Sequence, residues 1–287
     1  MNFSVAIDCV NSVGGIIIPK LLDALGVKTV VEKLYCTPNG HFPHNPEPLK
    51  EHLGEISALM SKGNFNVGFA VDPDVDRLVI ICENGEMFGE EYTLVAIADY
   101  VLQQTPGNTV SNLSSSRALR DITHKYGYEY NASAVGEVNV TALMKETNAV
   151  IGGEGNGGII YPRSHYGRDS LVGIALSLSY LAQQGKKVSE IRASYPQYFM
   201  AKQKIEIAPD VDMDTILYAI KEKYVKFDIT DIDGVKIDYP DKWVHIRKSN
   251  TEPILRIYSE AHTMEDAEKA GQEIIEEIIK LTKKQEP

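Results

Sequence analysis

Residues 66–77 read Asn-Val-Gly-Phe-Ala-Val-Asp-Pro-Asp-Val-Asp-Arg, an apolar run followed by a carboxylate at every second position. The apolar run predicts a buried strand. Upstream of it, residues 3–10 and 27–35 are also strand-like, and residues 47–62 have the apolar spacing of a helix. Strands separated by helices pair mainly in parallel, so residues 1–88 are predicted to form an α/β domain.

A second α/β unit is predicted to begin at Gly89, where the alternation of strands and helices restarts. Its predicted helices lie at residues 93–103, 117–126, 138–147 and 170–184, and its predicted strands at residues 109–113, 129–134 and 149–152. We therefore assign residues 89–197 to this second domain.

The last part of the chain, residues 198–287, has a different pattern. Strand-like runs lie at residues 202–207, 234–239, 243–247 and 254–261, and helical runs at residues 213–223 and 264–280. Strands joined by hairpins, with helices beside them, predict a small α+β domain with an antiparallel sheet.

Composition narrows the classes of partner and the compartment. The 287 residues carry a formal net charge of -11, which argues against binding to nucleic acid or to an anionic membrane. No run approaches the ~18 apolar residues of a membrane span, and the first residues do not resemble a secretory signal. The three cysteines, Cys9, Cys36 and Cys82, form no CxxC pair. We expect them to be reduced thiols, which favours a cytoplasmic location.

The carboxylate loop, residues 72–77, is a candidate metal site. Asp72, Asp74 and Asp76 repel one another, and a hard divalent cation such as Mg²⁺ offsets that repulsion with oxygen ligands. A solvated acidic loop is the alternative. A calcium loop of the EF-hand type is rejected, because Arg77 stands where that loop needs glycine and the flanks are strand-like.

The glycine loop, residues 152–158, is a candidate ligand site. It has five glycines in seven positions, which let a ligand approach the backbone closely. Its only side chains, Glu154 and Asn156, suit sugar hydroxyls, since a carboxylate accepts two hydrogen bonds and an amide both donates and accepts. A flexible turn is the alternative. A nucleotide-binding loop is less well supported, because GxGxxG spacing and a Walker lysine are absent.

The arginine loop, residues 247–253, reads Arg-Lys-Ser-Asn-Thr-Glu-Pro between two predicted strands. The planar fork of Arg247, with hydroxyl and amide groups, suits a phosphate. A solvated hairpin turn is an equal alternative on the residues alone. Glu137 opens a predicted helix; helix N-termini attract anions, but Glu137 is itself anionic, so a simple helix cap is favoured. Three residues that follow the glycine loop could add positive charge near it, although isolated residues of this kind are more often surface groups. Those three residues are Arg163, His165 and Arg168.

The three loops, in this order, resemble those of the α-D-phosphohexomutase superfamily, which includes phosphoglucomutase, phosphomannomutase and phosphoglucosamine mutase. Residues 72–77 resemble its DxDxDR magnesium loop, residues 153–158 its GExSGH-type sugar loop, and residues 247–253 its RxSNTxP phosphate loop. The resemblance covers nearly the whole chain and corresponds to the second, third and fourth domains. It implies two related three-layer α/β domains, residues 1–88 and 89–197, and a small α+β domain of TATA-box-binding-protein-like topology, residues 198–287.

The resemblance also implies an activity. An enzyme phosphoserine would pass its phosphoryl group to a hexose phosphate, and the resulting hexose 1,6-bisphosphate would return its other phosphate to the serine. The implied roles are Mg²⁺ binding by Asp72, Asp74 and Asp76; stabilisation of the transferring phosphoryl group by Arg77; sugar binding by Glu154 and Asn156; and binding of the non-reacting phosphate by Arg247, Ser249, Asn250 and Thr251.

Three positions depart from the superfamily pattern. Gly158 stands where many members have histidine, and Asn156 stands where many have serine. Glu137 follows the Val-Gly pair where some members have a basic residue, so no general base is assigned. The combination of GEGNGG with VGEVN resembles members classed as phosphoglucosamine mutases or as mutases of undefined specificity.

The phosphoserine loop of the superfamily, typically TxSHNP, has no counterpart in these residues. His44-Asn45-Pro46 is preceded by Pro43 rather than serine. We therefore expect the N-terminal domain of the enzyme to be missing from this chain, and the chain to fold but to be inactive alone. The alternatives are a non-catalytic sugar-phosphate-binding protein and a simple divalent-metal-binding module.

Overall fold

A computed structural model describes residues 3–27, 30–208, 211–249 and 252–282. The chain divides into two compact units. The first unit comprises Met1–Ala132 and Gly136–Pro196, and the second comprises Ser133–Val135 and Gln197–Pro287.

The first unit contains a four-stranded sheet built from the N-terminal part of the chain. Its elements are β1 (Ser4–Asp8), α1 (Gly14–Ala24), β2 (Val30–Leu34), α2 (Gly54–Lys62), β3 (Val67–Val71) and β4 (Leu78–Ile81). The strand order is β2-β1-β3-β4. Strand β1 is parallel to both β2 and β3, and β4 is antiparallel to β3. The predicted, mainly parallel α/β sheet is confirmed.

A second four-stranded sheet follows in the same unit. Its elements are α3 (Glu90–Gln104), β5 (Thr109–Asn112), α4 (Ala118–Lys125), β6 (Tyr130–Ser133), α5 (Glu137–Thr147), β7 (Ile151–Glu154), β8 (Gly158–Ile160), α6 (Ser170–Gln184) and α7 (Val188–Ala193). The strand order, β6-β5-β7-β8, repeats that of the first sheet. In both sheets the last strand is antiparallel to its neighbour, so the two halves share one topology, as expected.

Helix α3 ties the two sheets together. Ten of its fifteen residues are buried, so it is enclosed on all sides rather than amphipathic. It contacts β4 of the first sheet, β7 of the second, and helices α4 and α6. The carboxyl ends of β3 and β7, where the carboxylate and glycine loops begin, therefore belong to one packed unit.

One predicted helix is shorter than expected. Residues 47–62 were expected to be helical throughout, but α2 begins only at Gly54, after a single 3₁₀ turn at Lys50–His52. Leu49 is extended, with φ −86° and ψ 155°. Pro46 and Pro48 restrict the residues before them to extended conformations and lack an N–H, which explains the late start.

The second unit contains a five-stranded antiparallel sheet. Its elements are β9 (Phe199–Glu206), α8 (Met213–Lys223), β10 (Asp228–Thr230), β11 (Val235–Asp238), β12 (Trp243–Lys248), β13 (Ile254–Ala261) and α9 (Met264–Thr282). The strand order is β10-β11-β12-β13-β9. Buried residues of both helices, among them Ile220 and Ile274, pack with Ile237 and Ile246 of the sheet. The predicted α+β arrangement is confirmed.

Among the residues that the structure describes, no helix combines the length and the apolar character that crossing a bilayer requires.

Candidate functional site

The carboxylate loop follows β3 at the carboxyl edge of the first sheet. One oxygen from each of Asp72, Asp74 and Asp76 lies within 4.8 Å of the other two. Asp72 is buried, Asp76 is half-buried and Asp74 is exposed. Three converging carboxylate oxygens match the ligand preference of a hard divalent cation.

Backbone hydrogen bonds hold this loop in shape. Asp72 Oδ1 accepts from the N–H groups of Asp76 and Arg77, each at 3.0 Å. Val75 is left-handed, with φ +63°, which is uncommon for a β-branched residue and is a form of strain found at functional sites. Its carbonyl accepts from Ser170 N–H at 3.0 Å, so the loop is also tied to the start of α6.

The electrostatics of the carboxylate loop favour a cation. Burial raises the pKa of Asp72 to about 7; the hydrogen bond from the Arg77 backbone opposes this rise, and the neighbouring Asp76 and Asp74 add to it. A divalent cation would offset both the burial and the repulsion, so these residues fit the Mg²⁺ expected from the sequence.

Arg77 lies beside the same carboxylates. Its Nε is 3.8 Å from Asp72 Oδ2 and 3.9 Å from Asp76 Oδ1. Its Nη1 is 3.4 Å from Glu47 Oε1. The side chain is partly exposed, so the guanidinium is oriented next to the metal ligands and still reaches solvent.

The glycine loop begins at the end of β7 and holds a buried carboxylate. Glu154 is 5% exposed. Its Oε1 accepts from Asn112 Nδ2 at 2.8 Å, and its Oε2 accepts from Arg168 Nη1 at 2.8 Å. Asn156 Oδ1 accepts from Gly158 N–H at 3.2 Å, which shapes the turn into β8.

The carboxylate and glycine loops are joined directly. Leu78 N–H, immediately after Arg77, donates to the carbonyl of Gly157 at 3.0 Å. Gly157 has φ +86°, and a Cβ there would overlap the Leu78 carbonyl, so this position requires glycine. The structure therefore brings Asp72, Asp74, Asp76, Arg77, Glu154 and Asn156 together in the first unit.

Arg168 is not a surface group; it places positive charge at the glycine loop, which was the other of the two interpretations of the sequence. Its side chain is 15% exposed. It donates to Glu154, forms a short ion pair with Asp76, and its Nε lies 3.4 Å from Glu137 Oε2. The other two residues of that group, Arg163 and His165, are exposed as expected.

Sequence reasoning also missed Asn112. It ends β5, next to β7 in the sheet, which is how its amide reaches Glu154. The available signal was weak: two neighbouring parallel strands each end in a polar residue at the edge where ligands bind in α/β sheets.

The arginine loop lies in the second unit. Arg247 is near the end of β12, and Ser249 N–H donates to Ile254 O at 3.0 Å, which closes a hairpin. Lys248 Nζ pairs with Asp214 at 2.7 and 2.8 Å. Two of the predicted phosphate ligands, Asn250 and Thr251, lie outside the described residues.

Comparison with protein families gives three matches in succession. Residues 1–85 match phosphoglucomutase/phosphomannomutase alpha/beta/alpha domain II, residues 89–198 match domain III, and residues 199–277 match the C-terminal domain. The chain belongs to the α-D-phosphohexomutase superfamily.

Relatives of this chain within the superfamily are named as different mutases. A phosphoglucomutase/phosphomannomutase of Thermococcus kodakarensis is 36% identical over 283 residues, covering 96% of this chain and 61% of the relative. A probable phosphoglucosamine mutase of Methanopyrus kandleri is 31% identical over 278 residues, covering 95% and 60%. The chain thus spans about three-fifths of the length of the relatives it matches.

The fold agrees with a solved member of the superfamily. The crystal structure of a phosphoglucomutase/phosphomannomutase family protein from Burkholderia thailandensis superimposes with a TM-score of 0.86 at 26% identity. The match covers 98% of this chain and 61% of that one.

Proposed function

We propose that these 287 residues carry the metal-binding, sugar-binding and C-terminal domains of a cytoplasmic phosphohexomutase, divided at residues 1–88, 89–197 and 198–287. Such an enzyme is an isomerase that interconverts hexose 1-phosphates and 6-phosphates through a phosphoserine and a 1,6-bisphosphate. The observation that carries the proposal is the joining of the carboxylate and glycine loops by the Leu78–Gly157 hydrogen bond at 3.0 Å.

Asp72, Asp74 and Asp76 would hold Mg²⁺, whose charge lowers the barrier to phosphoryl transfer. Their oxygens lie within 4.8 Å of one another, which supports this role. Arg77, beside two of these carboxylates, would donate to the phosphoryl group as its charge spreads. Ion-pair contacts to Glu47 at 3.4 Å and to Asp72 at 3.8 Å support this placement of the guanidinium beside the metal ligands.

Glu154 and Asn156 would bind the sugar hydroxyls. Asn112 and Arg168 each bond one oxygen of Glu154, so the carboxylate is fixed and each oxygen keeps a lone pair for a hydroxyl. Arg247 and Ser249, with Asn250 and Thr251 in the same loop, would bind the phosphate that is not reacting.

The phosphoserine itself would come from elsewhere. The sequence of 287 residues contains no TxSHNP pattern. We propose that the serine lies in an N-terminal domain of the same enzyme outside these residues, and that this chain alone binds hexose phosphate without converting it. Glucose, mannose and glucosamine phosphates are the candidate substrates, a choice that the names of the relatives support.

Calorimetry with Mg²⁺ tests the metal site. The chain is expected to bind Mg²⁺ more weakly than micromolar, because the phosphoserine oxygen would be a further strong ligand in the complete enzyme. Asp74→Asn should abolish the remaining binding, while the exposed control Asp23→Asn should preserve it. Micromolar binding would contradict the proposed need for a phosphoserine ligand. Binding that survives Asp74→Asn would refute the proposed site.

A further inference from the structure

The guanidinium of Arg168 is enclosed by carboxylates from three separate segments. Nη2 forms a short ion pair with Asp76 of the carboxylate loop. Nη1 donates to Glu154 of the glycine loop at 2.8 Å, and Nε lies 3.4 Å from Glu137, the first residue of α5. A planar fork of donors suits this arrangement, which a lysine point charge does not reproduce.

The backbone around Arg168 is fixed as firmly as its side chain. Arg168 N–H donates to Glu137 Oε1 at 3.0 Å. The neighbouring Asp169 N–H donates to Ile159 O at 2.9 Å, which holds the segment against β8. Asp169 also caps α6, because its carboxylate accepts from the N–H groups two and three residues on.

Gly158 provides the space that Arg168 occupies. A Cβ at Gly158 would overlap Arg168 Cδ and lie 3.1 Å from Arg168 Cγ. Many superfamily members have histidine at the position of Gly158, and a side chain of that size is incompatible with this placement of Arg168. The placement of the Arg168 side chain therefore requires glycine at position 158.

We propose that Arg168 is a positioning residue that couples the metal ligands to the sugar-binding carboxylate. This inference rests on the proposed function. The positive charge of Arg168 lies against Asp76, where it weakens the binding of a divalent cation by repulsion. Arg168 Nη1 holds Glu154 in the orientation that binds the sugar. Loss of Arg168 should therefore move the affinities for metal and for sugar in opposite directions.

The test uses Arg168→Gln with Mn²⁺ and glucose 6-phosphate as separate calorimetric probes. Mn²⁺ is expected to bind roughly three- to tenfold more tightly and glucose 6-phosphate roughly three- to tenfold more weakly, as for one ion-pair or hydrogen-bond contact. The matched control is Arg163→Gln, which removes the same charge from an exposed position five residues upstream and should change neither affinity.

A Cβ at Gly158 would also lie 3.1 Å from Asn156 Oδ1, so Mn²⁺ affinity is the cleaner readout of Gly158→Ala. This second variant displaces the arginine side chain and removes no hydrogen-bonding group. It should shift both affinities in the same directions as Arg168→Gln. If the glutamine variant does not fold, Gly158→Ala tests the coupling role in its place. Affinities that fall together, or that do not change, would overturn the coupling role. If the unsubstituted chain binds neither probe, the proposed function itself fails and the inference falls with it.

Discussion

Replacement of Glu154 by glutamine is a sensitive perturbation of the glycine loop, because it keeps the shape of the side chain and removes its charge. Both carboxylate oxygens accept hydrogen bonds, from Asn112 Nδ2 and Arg168 Nη1, each at 2.8 Å. A glutamine has one oxygen and one NH₂ group, so one of these two donors must face another donor.

The magnitude follows from these contacts. Loss of a hydrogen bond that involves a charged group lowers the free energy of unfolding by about 1.5–3 kcal/mol, and an unsatisfied buried donor adds about 1–3 kcal/mol. Arg168 keeps Asp76 and Glu137 as partners, which limits the effect. We expect Glu154→Gln to lower the free energy of unfolding by about 2–4 kcal/mol.

Urea unfolding followed by far-ultraviolet circular dichroism measures this change. The matched control is Glu129→Gln, an exposed site in the same unit, which should stay within about 0.5 kcal/mol of the unsubstituted chain. Equal stability of the two variants would refute the network around Glu154.

Three further predictions concern other buried groups. Asp99→Asn should lower the free energy of unfolding by about 2–3 kcal/mol in the same urea assay, because buried Asp99 accepts from three tyrosine hydroxyls at 2.6–3.0 Å; an unchanged midpoint would contradict this. Iodoacetamide at pH 8 should alkylate Cys36 before Cys82 in a mass-spectrometric time course, since burial raises the pKa of Cys82 to about 12 and a thiol hydrogen bond lowers that of Cys36. Burial lowers the pKa of His245 to about 4, so below about pH 6.5 the unfolded state binds a proton that the folded state does not bind. The free energy of unfolding of the second unit should therefore fall by up to about 3 kcal/mol between pH 6.5 and 4. Urea unfolding followed by Trp243 fluorescence would show this loss. If the stability of His245→Gln depends on pH as steeply as that of the unsubstituted chain, the prediction is contradicted.

Much of the fold was predictable because local pattern and tertiary structure agree. Helix α6 and strand β13 have the predicted starts and ends. Asp169 caps the helix and Gly185 ends it, and five of the eight residues of the strand are apolar. Helix α7 and strand β10 were missed because six and three residues are too short to show a period.

The candidate site was predictable only where its chemistry is contiguous in sequence. The spacing of Asp72, Asp74 and Asp76 by itself indicates a candidate cation site, with a solvated acidic loop as the alternative. The role of Arg168 could not be predicted from the sequence, because its carboxylate partners lie 14, 31 and 92 residues away. In addition, an arginine in a loop is usually exposed. The segment that carries Arg168 pairs with β8, through Asp169 N–H to Ile159 O and a bridge between Ile160 and Arg168, and this pairing has no signal in the sequence.

The central claim is that these residues supply the metal and sugar sites of a phosphohexomutase whose phosphoserine lies outside them. Phosphorus NMR of the 1-phosphates of glucose, mannose and glucosamine with Mg²⁺ tests it, first with this chain and then with the protein extended by a phosphoserine-bearing domain. We predict no 6-phosphate from the chain alone and conversion of at least one substrate by the extended protein, slowed at least about a hundredfold by Asp74→Asn. Conversion by the purified chain alone, or a folded and phosphorylated extended protein that converts none of the three substrates, would contradict the claim.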